Sequence, residues 1–125
     1  EGKVHWKWTA PHPPVNAVRL PNGRTLVSLR GERLVEVNAE GKIVWQVTQK
    51  DFAKPYLYAL GAFQVMANGN LVFASSNPDA KISRLMELTR DKKLVWSAVQ
   101  QIRLRPTQFQ ILTTNGRPIP GPALR

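Results

Sequence analysis

Side chains able to do acid–base or ligand chemistry are few and scattered. The chain has two histidines, His5 and His12, eight Asp or Glu, and no cysteine. A histidine metal site needs further ligands at ordered spacing, and neither histidine has them in the sequence. His5 reads as an exposed strand residue. His12 lies in Ala10-Pro11-His12-Pro13-Pro14, a stiff extended linker. The acids show no calcium-loop spacing, and no Gly-rich phosphate loop is present. Glu36 and Glu87 each fall two to three residues before a turn. Their equivalence points to a structural task, pairing with a Lys or Arg on an adjacent strand. The lack of cysteine excludes disulfides, thiolate nucleophiles and cysteine metal sites, without fixing a compartment. The chain therefore reads as non-catalytic, with no catalytic, metal or cofactor-binding residue assigned.

Residues suited to recognition are easier to find. Phe52, Tyr56 and Tyr58 lie in one proline-containing connection (48–61), and Arg103 and Arg105 in another (100–108). Aromatics and arginines on loops above a rigid scaffold are the usual material of a binding surface. These five are the candidate partner-binding residues. Three tryptophans, Trp6, Trp45 and Trp96, close a recurring phrase: GKVHW (2–6), GKIVW (41–45) and KKLVW (92–96). Trp8 follows Trp6 by two residues, where the later phrases have Val47 and Ala98, so a different partner is expected for it.

The elements that must hold these residues follow from a repeat. Asn-Gly recurs at 22–23, 68–69 and 115–116, at intervals of 46 and 47 residues. Such a period indicates a repeat architecture. Each full unit reads as four short strands joined by turns. In the first they are Asn16–Leu20, Thr25–Leu29, Arg33–Val37 and Lys42–Val47. In the second they are Ala62–Met66, Leu71–Ser75, Ser83–Thr89 and Lys93–Val99. Asn-Gly between strands predicts a type I′ hairpin turn. Lys3–Trp8 reads as the last strand of a preceding unit, and Phe109–Leu112 as the start of another. Pro118, Pro120 and Pro122 then remove ladder donors. The expected organisation is one partial β-propeller over 1–125: a last strand at 1–8, blades at 15–48 and 62–99, and the start of a further blade at 108–119. The fold class is all-β, with four-stranded antiparallel blades, about 2.5–3 of them, in an incomplete ring.

LVEVNAEGKIVW (34–45) resembles the repeat of pyrroloquinoline-quinone-type β-propellers, in which an apolar strand leads through a polar turn to Gly-Lys, two apolar residues and Trp. The likeness is weaker at 85–96, where Asp91-Lys92 replaces Glu40-Gly41, and partial at 2–6. RLPNGRTLV (19–27) also looks like bacterial propellers related to arylsulfotransferases. The resemblance implies that Trp6, Trp45 and Trp96 dock against a neighbouring blade, burying a large flat ring. It also implies an extracytoplasmic (periplasmic or extracellular) setting. Two enzyme alternatives come with it: a fragment of a quinone-dependent dehydrogenase holding pyrroloquinoline quinone with calcium, or of a sulfotransferase-like propeller. Neither histidine aligns with the sulfotransferase histidine. Propeller motifs specify architecture better than activity.

Composition limits the partners. The chain has 125 residues, 42% of them hydrophobic, with ten Pro and eight Gly, which suits one turn-rich β domain. No stretch approaches the ~18–20 apolar residues of a membrane-spanning helix. The net charge of +10 is scattered, which mostly marks solvated strand faces. It leaves open a basic subunit docking an anionic partner or large complex. No aromatic–basic nucleic-acid motif is present, so nucleic acid is not an expected partner. Propellers close with roughly four to eight blades, more than this chain supplies. The sequence is then a segment of a longer protein, a cleaved or engineered piece, or a subunit completed by other chains. In the last case the Lys3–Trp8 strand of one copy would complement the Phe109–Ile119 hairpin of another. The favoured function is a scaffold or binding protein, its ring finished by other polypeptide and a protein or glycan bound through the inter-blade loops.

Overall fold

A computed structural model describes residues 2–30, 33–52, 59–77, 82–101, 109–114 and 116–118. They form an all-β chain with two four-stranded antiparallel sheets of the blade type. The first sheet runs in sequence order: β1 (Pro14–Arg19), β2 (Thr25–Leu29), β3 (Arg33–Val37), β4 (Ile43–Thr48). The second repeats it: β5 (Ala59–Val65), β6 (Leu71–Asn77), β7 (Ile82–Leu88), β8 (Leu94–Gln101). A small hairpin, β9 (Thr113–Thr114) and β10 (Arg117–Pro118), follows. The chain divides into two compact units, Glu1–Leu60 and Gly61–Arg125.

The middle strands form the core of each unit. Every residue of β2 is buried, as are Leu34, Val35, Glu36 and Val37 of β3. A strand buried on both faces reads as a near-continuous apolar run, which Leu26-Val27-Ser28-Leu29 is. In the second unit Leu71, Val72, Phe73, Ala74, Met86 and Leu88 are buried to 2% exposure or less. β5 to β8 each extend one to three residues beyond the expected limits at one end, and β5, β7 and β8 stop or start one residue short at the other.

The expected orphan strand Lys3–Trp8 differs. Residues 2–13 form no strand. A strand needs a ladder partner, whereas this segment is held by its indoles on the first sheet. Residues 109–112 likewise form no strand, and pairing begins only at Thr113. There the Ile111 N–H is satisfied by a side chain, donating to the Gln64 amide oxygen Oε1 at 2.8 Å.

The turns depart from the type I′ expectation. Gly23 N–H donates to Leu20 O at 3.0 Å, and Leu20 N–H to Arg24 O at 2.8 Å. Gly23 has φ 79°, but Asn22 is not left-handed. This is a three-residue loop ending in a left-handed bulge residue. The Asn22 side chain braces it: Oδ1 accepts the Arg24 N–H at 3.0 Å. Met66–Asn70 repeats the turn with Gly69 at φ 81° and Asn68 Oδ1 accepting from Asn70 N–H at 3.0 Å. The β3–β4 and β7–β8 turns use the same backbone bonds, with Gly41 at φ 80° and Lys92 at φ 65° in the left-handed place.

Lys92 therefore sits where a side chain is strained by about 1 kcal/mol. Lys92→Gly is expected to raise stability by roughly 0.5 kcal/mol, after the entropy that glycine adds to the unfolded chain. Gly23→Ala, with open space around its Cβ, should cost about 1 kcal/mol. Gly41→Ala should cost more, because its Cβ would stand 3.4 Å from Trp8 Cδ1. Urea unfolding of the three variants checks the order.

Candidate functional site

Each blade is tied together by a carboxylate on its third strand. Register places Glu36 opposite Leu26 on β2 and Trp45 on β4. Glu87 stands opposite Val72 on β6 and Trp96 on β8. The Trp reaches its place through a β-bulge. Val37 pairs with Ile43 but Glu36 with Trp45, so Val44 is an extra residue. Without it, antiparallel register would put Trp45 opposite Val35, on the other face of the sheet. Leu88 with Leu94 and Glu87 with Trp96 make the same bulge at Val95. The two apolar residues before each Trp in GKIVW and KKLVW are thus one strand residue and one bulge residue.

Glu36 is fully buried and accepts from Arg24 Nη1 at 3.1 Å. Arg24 is half exposed and follows the left-handed Gly23 directly. In the second unit Asn70 takes the Arg24 place, donating from Nδ2 to Glu87 Oε1 at 2.7 Å. Glu87 Oε2 accepts the Trp96 indole N–H at 2.5 Å. The inner and outer hairpins of the second blade therefore meet on one carboxylate. The expected Lys or Arg partner is present for Glu36, whereas Glu87 is held by an amide and an indole.

Trp6 and Trp8 occupy one face of the first sheet. Val27, Leu29, Val35 and Val37 form its apolar surface, and Trp6, Trp8 and Ala10 pack on it. Trp6 Nε1–H donates to Ala39 O at 3.0 Å, and Trp8 Nε1–H to Gly41 O at 3.1 Å. Both acceptors lie in the β3–β4 turn. The Arg19 guanidinium lies 4.7 Å from the Trp6 ring centroid and donates from Nη1 to Gly23 O at 2.8 Å. Trp8 and Arg19 were not singled out by spacing as partners of this face. Trp8 was marked only by its difference from Val47 and Ala98.

The opposite face differs between the units. In the first, Leu26, Ser28, Leu34, Glu36 and Val47 are buried to 1% exposure or less, with Trp45 half-buried. The equivalent residues of the second are graded. Val72 and Ala74 are buried and Leu85 and Glu87 half-buried, while Trp96 is 38% exposed and Ala98 exposed. Leu94, Val95 and Val99 add 38, 50 and 52% exposure along the same edge strand.

Of the loop candidates, Phe52 is half-buried after a 3₁₀ turn, Gln49–Asp51, with its N–H donating to Gln49 O at 3.2 Å. The turn is fastened by the Thr48 N–H donating to Asp51 Oδ2 at 2.8 Å. Tyr56, Tyr58, Arg103 and Arg105 lie outside the described residues, with the rest of 53–58 and 102–108. Among the described residues, no three His, Asp or Glu gather as metal ligands, and no helix is long and apolar enough to cross a membrane.

No model of a known protein family matches the chain, and no curated protein does. Among solved structures it is similar to a protein of unknown function from Bacteroides caccae, at 22% identity and a TM-score of 0.58. The alignment covers 74% of this chain and 37% of that one. At that identity the likeness is one of fold alone. The chain spans little more than a third of that protein's length.

A buried carboxylate that loses its partner keeps its desolvation cost. Arg24→Ala is expected to destabilise the chain by about 1–3 kcal/mol, moderated because Arg24 is half exposed. Restoring a neutral site with Glu36→Leu in the Arg24→Ala background should recover part of that loss. Glu87→Ala should cost less than Glu36→Ala, since Glu87 keeps access to water. Thermal and urea unfolding of the set, as a double-mutant cycle, checks the coupling.

Proposed function

We propose that the chain is a non-catalytic scaffold and binding segment of a β-propeller, related to the pyrroloquinoline-quinone-type repeat. Further polypeptide completes its ring, and the loops between blades bind a protein or glycan partner. The observation that carries this reading is the open side of the second blade. Positions buried in the first blade (Leu34, Glu36, Val47) have exposed or half-exposed counterparts in the second (Leu85, Glu87, Ala98). A large exposed apolar edge strand is a hazard unless another element covers it.

The repeat marks that looked chemical have structural work in this chain. Glu36 and Glu87 tie hairpins, the Asn-Gly pairs shape turns, and Trp6 and Trp8 cover a sheet face. That leaves the connections, where Phe52, Tyr56, Tyr58, Arg103 and Arg105 supply aromatic and cationic contacts for a partner. The ring-completing polypeptide, the loop partner and an extracytoplasmic setting are parts of the proposal.

The test is binding of the purified chain to immobilised glycan and peptide arrays, with parallel turnover assays on alcohols with pyrroloquinoline quinone and calcium, and on sulfate esters. We expect retention by a glycan or peptide that drops at least tenfold, about 1.4 kcal/mol, in a Phe52→Ala/Tyr56→Ala double variant. Turnover abolished by substituting one named side chain would overturn the reading in favour of an enzyme.

A further inference from the structure

One turn position carries different side chains in the two blades. Asn22-Gly23 is followed by Arg24, and Asn68-Gly69 by Asn70. Arg24 Nη1 donates to Glu36 Oε1 at 3.1 Å, and Asn70 Nδ2 to Glu87 Oε1 at 2.7 Å. The first acid thus carries a guanidinium, and the second a neutral amide together with the Trp96 indole. The chain has 18 Lys and Arg against eight acids, so cations are not scarce. Among the described residues none of them meets Glu87. Glu87 is half-buried, and Trp96 opposite it is 38% exposed. A carboxylate has room for about four donors, and this one uses its two oxygens once each.

We propose that Glu87 and Trp96 form a receiving site for a guanidinium, and that its occupant is an arginine side chain of a partner polypeptide. This rests on the open second blade of the reading above and names the side chain that comes to it. The chain holds two internal precedents. Arg24 on Glu36 places a guanidinium at the equivalent carboxylate. Arg19, 4.7 Å from the Trp6 ring centroid, places one over a tryptophan of the same repeat position. Glu87 and Trp96 bring both kinds of acceptor together, because the Val95 bulge sets the ring opposite the acid. A planar guanidinium suits such a pair, since it stacks on an aromatic face while its N–H groups reach a carboxylate. An ammonium is a strongly hydrated point charge with no face to stack. Access differs in the same sense. Glu36 is fully buried and takes its arginine from its own hairpin, whereas half-buried Glu87 is open to a side chain from outside.

The probe is a capped Gly-Arg-Gly tripeptide, with counterparts carrying lysine or citrulline, the neutral isostere of arginine. The readout is the NMR cross-peak of the Trp96 indole N–H, assigned by its loss in Trp96→Phe. The arginine peptide is expected to move this cross-peak saturably, with a dissociation constant on the order of 1–30 mM. The lysine peptide should bind more weakly by a factor of about three or more, and the citrulline peptide should leave the peak in place. Glu87→Gln keeps an acceptor but removes the charge, and should weaken arginine binding about tenfold. Asn70→Arg restores the side chain of the first blade and fills the site from within. It should weaken peptide binding by a similar factor and raise the urea midpoint, with no such rise in a Glu87→Gln background. A cross-peak that does not move overturns the assignment. An equal shift with citrulline overturns it in favour of an uncharged segment, and an equal shift with lysine in favour of any cation. Binding that survives Asn70→Arg overturns it as well. These outcomes concern Glu87 and Trp96 alone. Array binding and turnover decide the scaffold reading independently.

Discussion

A carboxylate taken out of water must be paired, and each blade is arranged around that requirement. Burying an unpaired charge costs several kcal/mol, comparable to a large part of a small domain's stability. Glu36 has no exposed surface at all. Its partner, Arg24, comes from the end of the inner hairpin, so the turn before it must deliver that residue at the right height. The left-handed glycine and the Asn22 side-chain bond do so. In the second blade the outer hairpin answers to the same constraint, because the Val95 bulge turns Trp96 onto the Glu87 carboxylate. In each blade the turn, the bulge and the tryptophan meet at the position of this acid.

The inner hairpins of the two blades offer their acids different groups. The first uses an ion pair, with a guanidinium that stays half in water. The second uses an amide and an indole, and its acid remains partly solvated. An amide is a weaker partner for a carboxylate than a guanidinium. The choice agrees with the exposure: the fully buried acid has the charged partner, and the accessible one needs less. The first blade is also closed on its other face, where two indoles reach the carbonyls of a turn that would otherwise stand in water.

Recognition of this architecture rested on spacing, and spacing serves strands better than faces. The limits of β2 and β3 were legible because β-branched runs lie between turn residues. The turn class was misread, since Asn-Gly fits both a type I′ turn and the three-residue loop. A side-chain bond from Asn22 to a backbone N–H two residues on braces the loop, which the β3–β4 and β7–β8 turns adopt without Asn-Gly. The bulges were invisible for a related reason. Two consecutive apolar residues before Trp fit an unbroken strand equally well until the register with Glu36 or Glu87 is known. Lys3–Trp8 carries strand composition, yet composition does not supply a ladder partner.

The sequence by itself determined a repeated four-stranded β unit, the equivalence of Glu36 with Glu87, and the equivalence of Trp6, Trp45 and Trp96. These follow from periodicity, which is a local property of the chain. Only the tertiary structure decided which acid is fully buried, what pairs it, and where Trp6 and Trp8 lie. It also decided that the Trp96 side is open where its counterpart is closed. Those facts depend on what stands across a sheet face, many residues away, and two equivalent phrases can meet different neighbours there.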